Sequence, residues 1–158
     1  MIAAGINLTE TYTSATLTSV GPYKVGGLFS AHDGKQYRLY QYDTGAGSVA
    51  AVAGNFCYFY APSGTSAGAT TVVTSDLSDS AEVGAGVLQA APGDGEYCWV
   101  QIKGSATLTT ALTAGADGDP LTPTGATDGT VDVTAAATDH RCAVAIDASA
   151  KIVMLDCP

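Results

Sequence analysis

The chain has 158 residues, enough for one domain with a proper core, or for one domain plus a terminal arm. Its net charge is −9, and the positive residues Lys24, Lys35, Arg38, Lys103, Arg141 and Lys151 are scattered, so no basic patch forms in sequence and nucleic-acid binding is not expected. Thr, Ala, Gly and Val dominate while Lys, Glu, Gln and Arg are scarce, which predicts an all-β domain with little or no helix.

In chain order, Met1-Ile2-Ala3-Ala4-Gly5 carries no basic region and no long apolar stretch. The expectation is cytoplasmic synthesis without a signal peptide, a transmembrane segment or a membrane partner. Residues 1–20 read as an N-terminal arm or edge strand, because Leu8 to Thr18 has high β-propensity but few large apolar groups. Gly21-Pro22 breaks this segment, and residues 21–158 form a single β domain. Tyr23 to Ser30 is a short strand. His32-Asp33-Gly34-Lys35 is a hairpin turn, followed by the aromatic strand Gln36–Tyr42.

Phe56–Tyr60 is the densest aromatic run, and Pro62, Gly64 and Gly68 form the loop after it. Thr70–Thr74 is β-branched, Asp76–Ser80 is a polar connection or one helical turn, and Ala81–Gln89 is a strand with two glycines. Pro92-Gly93-Asp94-Gly95 then turns the chain into the segment on which the domain is organised, Tyr97–Lys103. Cys98, Val100 and Ile102 alternate with Tyr97, Trp99, Gln101 and Lys103. One face is therefore buried outright and the other is half covered by a neighbour, as in a central strand of a small β-barrel or β-sandwich. Gly104 is expected to end it.

Beyond this strand, Pro120 and Pro123 place Leu121 on a bend or edge, since proline cannot donate to a ladder. Asp128-Gly129 is a second turn, and Thr130–Thr134 alternates. Cys142–Ile146 and Ile152–Leu155, joined by Asp147-Ala148-Ser149-Ala150, form a closing hairpin.

Little here points to catalysis. His32-Asp33 and Asp139-His140 raise a metal or acid–base site, but two scattered histidines lack further ligands at a useful spacing. Asp94, Asp117, Asp119, Asp128, Asp132 and Asp147 are candidate calcium ligands, yet no 12-position loop with a closing Glu is present, and Asp before Gly is what turns require. No nucleophile elbow or phosphate loop occurs, and Gly84-Ala85-Gly86 leads to no helix. No catalytic residue, cofactor site or metal site is assigned.

Cys57, Cys98, Cys142 and Cys157 match no zinc or redox spacing and read as buried free thiols, with a disulfide formed after release from the cell as the alternative. Tyr37, Tyr40, Tyr42, Phe56, Tyr58, Phe59, Tyr60, Tyr97 and Trp99 are core and cross-strand aromatics, or a stacking platform for sugars.

Three segments carry a family likeness: Ala85-Gly86-Val87-Leu88-Gln89-Ala90-Ala91, then Gly95 to Gly104 around Trp99, then Gly118-Asp119-Pro120-Leu121 with Asp128–Asp132 and the Cys142–Ile146 strand. In this order, over residues 84–156, they resemble the decoration or cement proteins of tailed bacteriophages. The resemblance implies a non-enzymatic homotrimer on the outer surface of a phage head, a virion protein made in the host cytoplasm. Its partner would be the major capsid protein, with contacts between capsomers stabilised. Acidic charge and an arm suited to strand addition are consistent with this. The alternative is a carbohydrate- or receptor-binding module of a virion fibre, suggested by the aromatics and Asp-rich loops. An enzyme with metal at His32 or His140 is the third reading.

Overall fold

The computed structural model describes residues 6–19, 24–62 and 70–158. Residues 1–5 of the expected arm, the Gly21-Pro22 break, Tyr23, Gly64 and Gly68 lie outside the described residues.

The fold is all-β. Its strands are β1 (Thr11–Tyr12), β2 (Leu28–Ser30), β3 (Gln36–Tyr42), β4 (Phe56–Tyr60), β5 (Val72–Thr74), β6 (Ser80–Leu88), β7 (Tyr97–Thr107), β8 (Pro120–Thr122), β9 (Asp132–Val133), β10 (Ala143–Asp147) and β11 (Ile152–Asp156). Among the described residues, one short helix, α1 (Ser14–Ser19), and a 3-10 turn at Leu77–Asp79 accompany them. Strands β3, β5, β4, β6 and β7 pair in that order, and β7 pairs back onto β3, closing a five-stranded barrel. The β3–β5 contact is parallel, and the other barrel pairings are antiparallel.

Strand β7 holds the structure together. One of its edges pairs with β3 from Gln41↔Tyr97 to Gln36↔Lys103. The other edge is used in turn by β1 at Tyr97 and Cys98, by β6 at Val100 and Gln101, and by β11 from Lys103 to Thr107. The strand therefore runs through Gly104 instead of ending there. Gly104 has φ +93°, a left-handed angle that bends the strand without stopping it. The buried Gln101 amide donates to the carbonyls of Lys103 (3.2 Å) and Ser105 (2.9 Å), which satisfies the backbone on both sides of the bend.

The two faces of β7 and β3 serve two cores. Tyr40, Tyr42, Cys98, Val100 and Ile102 point into the barrel with Phe56, Tyr58, Val73 and Leu88. Tyr37, Leu39 and Trp99 point outward and are buried with Tyr12 beneath Ile6, Leu8, Leu17 and Phe29. The half-covered face expected for Trp99 is thus roofed by the N-terminal segment.

That segment is strand only at Thr11–Tyr12; Ser14–Ser19, expected to be extended, is helical. The helix starts where it does because Thr13 and Thr16 cap it reciprocally. The Thr16 N–H donates to Thr13 Oγ1 (3.2 Å) and the Thr13 N–H to Thr16 Oγ1 (2.7 Å).

Leu121 departs from its expected bend or edge position. It is buried and paired on both sides, with Ala143 of β10 and Val133 of β9. Pro120 permits this because it is the first residue of β8, where its missing N–H costs nothing and its carbonyl still accepts from Thr134 N (2.9 Å). The closing hairpin forms as expected, with a bulge between Ala145 and Asp147.

Candidate interaction surface

The histidines stand apart. His32 is exposed in the β2–β3 turn and His140 is half-buried ahead of β10. Their neighbouring carboxylates close turns: Asp33 accepts from Lys35 N (3.1 Å), and Asp139 from Ala135 N (2.8 Å) and Ala136 N (2.7 Å). Among the described residues no group of three or more His, Cys, Asp or Glu is placed to hold a metal ion.

The candidate calcium ligands are dispersed in the same way, each bound to backbone. Asp94 accepts from Thr44 N, Asp117 from Ala148 N, Asp119 from Ala116 N, Asp128 from Leu77 N, Asp132 from Val133 N and Asp147 from Ala150 N. Hydrogen bonds from the Ala150 N–H and the Ser149 hydroxyl hold the Asp147 carboxyl below its usual range.

Asp76 and Asp79, which the sequence did not single out, are the buried carboxylates, at 2% and 5% exposure. Asp76 accepts from Gly47 N (2.8 Å), Ser78 N (3.0 Å) and Ser78 Oγ (2.6 Å), while Asp79 accepts from Ala46 N. Together they clamp the Asp43–Val49 loop. Burial alone would raise the Asp76 pKa, but these hydrogen bonds outweigh it and hold the group low. A Cβ on Gly45 or Gly47 would lie 2.6 Å from Asp76 Oδ2, so both positions exclude a side chain. The Asp-x-Ser spacing of an Asx turn was the available signal.

The aromatic set forms core, not a platform. Tyr37, Tyr40, Tyr42, Phe56, Tyr58 and Trp99 are buried, and Phe59, Tyr60 and Tyr97 are half-buried. Phe59 stands edge-on to Tyr40 at 5.7 Å and Phe29 edge-on to Trp99 at 6.3 Å. All four cysteines are buried and unbridged.

Leu28, Val25 and Val52 are exposed singly, whereas β10 and β11 present an apolar sheet face. Residues alternate along β10 and β11, so Ala143, Ala145, Val153 and Leu155 go inward while Val144, Ile146, Ile152 and Met154 go outward. Ile146 and Met154 are 44% and 46% exposed. Met154 pairs with Val144 on one side and Ser105 on the other, and Val144 pairs with Pro120, so the apolar row continues across β11, β10 and β8.

Charges of both signs border this face, since Asp147 ends β10 and Asp156 ends β11. Lys103 pairs with Asp156 at 3.4 Å, and Arg141 lines a depression with Val144 and Met154. Lys151 donates to Thr109 O (2.9 Å), and Lys35 lies beside Ser105 and Thr107. The face is therefore apolar at its centre with a rim of mixed charge. The unbroken apolar run Ile152-Val153-Met154-Leu155 was the sequence signal for it, because a strand with one solvated face alternates with polar residues.

No family model, curated protein or solved structure matches the chain.

Proposed function

We propose that this chain is a capsid decoration protein, bound as a homotrimer to the major capsid protein on the outer surface of a tailed-phage head. In this reading it stabilises contacts between capsomers and performs no catalysis. The observation that carries it is the outward face of β10 and β11. Ile146, Met154, Val144 and Ile152 form an apolar patch with a rim of mixed charge, and the patch falls within residues 84–156, where the sequence resembles decoration proteins. A protein surface with an apolar centre and a polar rim is the partner this patch suits. The barrel behind it is tightly packed and gives the patch a rigid backing, which lowers the ordering cost of binding.

The test is reconstitution on heads that lack the protein. Wild-type chain is added and particles are imaged by cryo-electron microscopy, beside an Ile146→Lys/Met154→Lys variant. Knobs of trimeric density outside the shell, with at least a tenfold weaker occupancy for the variant at unchanged melting temperature, are the expected result. Density at a tail or fibre tip, or no density on any head, overturns the reading. Equal occupancy of the variant removes the β10–β11 face from it.

A further inference from the structure

We infer that Cys142 and Cys157 are a thiol pair built to close a peroxide-dependent disulfide, which would staple the residue before β10 to the residue after β11.

The geometry comes from the closing hairpin. Ala143 pairs with Leu155, and the Asp156 N–H donates to the Cys142 carbonyl at 2.9 Å, so Cys142 stands beside the end of β11. The Cys157 N–H donates to Ile102 O at 3.0 Å, which fixes its backbone on β7. The Cys157 sulfur donates to the Cys142 carbonyl oxygen at 3.6 Å, and the Cys142 sulfur donates to the Leu121 carbonyl at 3.6 Å, so both thiols lie in the same corner of the core. A disulfide at its usual length of about 2.05 Å requires both sulfurs to turn from these carbonyls toward each other.

Accessibility decides which sulfur reacts first. Cys157 is 8% exposed, whereas Cys57, Cys98 and Cys142 are at 0%. The Cys157 thiolate attacks one peroxide oxygen. The O–O bond breaks, hydroxide leaves and is protonated to water, and Cys157 becomes a sulfenic acid. The Cys142 sulfur then attacks the sulfenic sulfur. The S–S bond forms, the S–O bond breaks, and the departing hydroxide takes the Cys142 proton as a second water. Two thiols and one peroxide give one disulfide and two waters, and the two electrons pass from sulfur to oxygen.

The hydrogen bond to Cys142 and burial both push the Cys157 thiol well above its ordinary value, so its thiolate is scarce at neutral pH and oxidation speeds up as pH rises. Cys57 and Cys98 also lie close together, but burial pushes Cys98 up to about 12, and neither sulfur meets solvent.

The bridge would close a loop between residues 15 apart in sequence, which restricts the unfolded chain and raises the melting temperature of the oxidised form.

The experiment treats the full chain with hydrogen peroxide at neutral and alkaline pH, then counts thiols in denaturant and maps peptides without reduction. The expected result is loss of two of the four thiols, faster at alkaline pH. A linked peptide pair containing Cys142 and Cys157 should appear, lighter by two hydrogens than the reduced pair. A rise in melting temperature reversed by dithiothreitol should accompany it. Cys157→Ser and, as a second variant, Cys142→Ala each abolish the linkage and the rise, while Cys98→Ser keeps both. A Cys57–Cys98 linkage, over-oxidation of Cys157 without a crosslink, or four intact thiols at alkaline pH overturns the inference.

Discussion

Tyr58 offers a sharp check on how the barrel is closed off. Its ring is fully buried on β4, and its hydroxyl reaches the loop that follows the second Asp-Gly turn. The hydroxyl donates to Thr130 O at 2.5 Å, shares that proton with Thr127 O at 3.0 Å, and accepts from Thr130 N at 3.2 Å. Burial raises the Tyr58 pKa despite the Thr130 hydrogen bond, so the phenol stays neutral and donates throughout the working pH range. Tyr58→Phe keeps the ring and creates no cavity in the core. It removes one donor and one acceptor.

Thr127 is exposed and its carbonyl can turn to water, and the Thr130 N–H keeps a bond to that carbonyl (3.3 Å), but the buried Thr130 carbonyl is left short of a partner. At about 1–3 kcal/mol for a stranded buried group, the expected loss is about 1–3 kcal/mol. That is a large share of the roughly 5–15 kcal/mol by which domains are stable. Urea unfolding read by fluorescence of the single Trp, Trp99, measures it, since Trp99 is buried in the native state. A lower midpoint with unchanged slope is the expected pattern. A loss below about 0.5 kcal/mol at unchanged slope would refute the claim that this hydroxyl supports the loop.

Further outcomes follow from the same packing. Gly86 has φ +135°, and a Cβ there would lie 2.2 Å from Gln101 O, so Gly86→Ala should cost about 3 kcal/mol or more in the same urea assay. A near-neutral result would show that β6 crosses β7 differently. Trp99→Ala should cost about 3–5 kcal/mol and hasten proteolysis within residues 6–17, which pack against it; unchanged cleavage there would mean that the N-terminal layer is held by other contacts. The Asp76 carboxyl is held below its ordinary 3.8. A depressed carboxylate contributes stability that is present above the ordinary value and lost as pH falls through the lower native one. Melting temperature measured on descending pH should therefore fall less steeply for Asp76→Asn than for wild type. Parallel curves would remove Asp76 from the acid response.

Strands Gln36–Tyr42 and Phe56–Tyr60 appear with the bounds that their residue patterns predict. The hairpins of β2 with β3, β6 with β7, and β10 with β11 also form, but with other bounds: β2 covers only Leu28–Ser30 of the strand expected from Tyr23, and β7 runs on to Thr107. These features are local: period-2 alternation and Asp-Gly or Pro-Gly turns act within a few residues, so the chain's own chemistry is enough to specify them. The helix at Ser14–Ser19 was hidden because β-branched Thr reads as strand, while the Thr13–Thr16 cap that nucleates it shows only in three dimensions.

The candidate surface was partly hidden in a similar way. Ile146 and Met154 are apolar in sequence whether they face a core or solvent, and only the pairing of β10 with β11, with its bulge at Ile146, leaves them exposed.

Ring closure lay beyond local reading altogether. The parallel β3–β5 contact, the return of β7 to β3, and the succession of β1, β6 and β11 along one edge of β7 join residues far apart in the chain. The amino-acid sequence by itself determined an all-β chain, its strongest strands and its tight turns, because those depend on neighbours along the backbone. Which strand lies beside which, which face of β7 meets which core, and which apolar face is left to solvent were decided by the tertiary structure. Those choices depend on how much distant apolar surface each pairing buries, and that quantity exists only once the barrel closes.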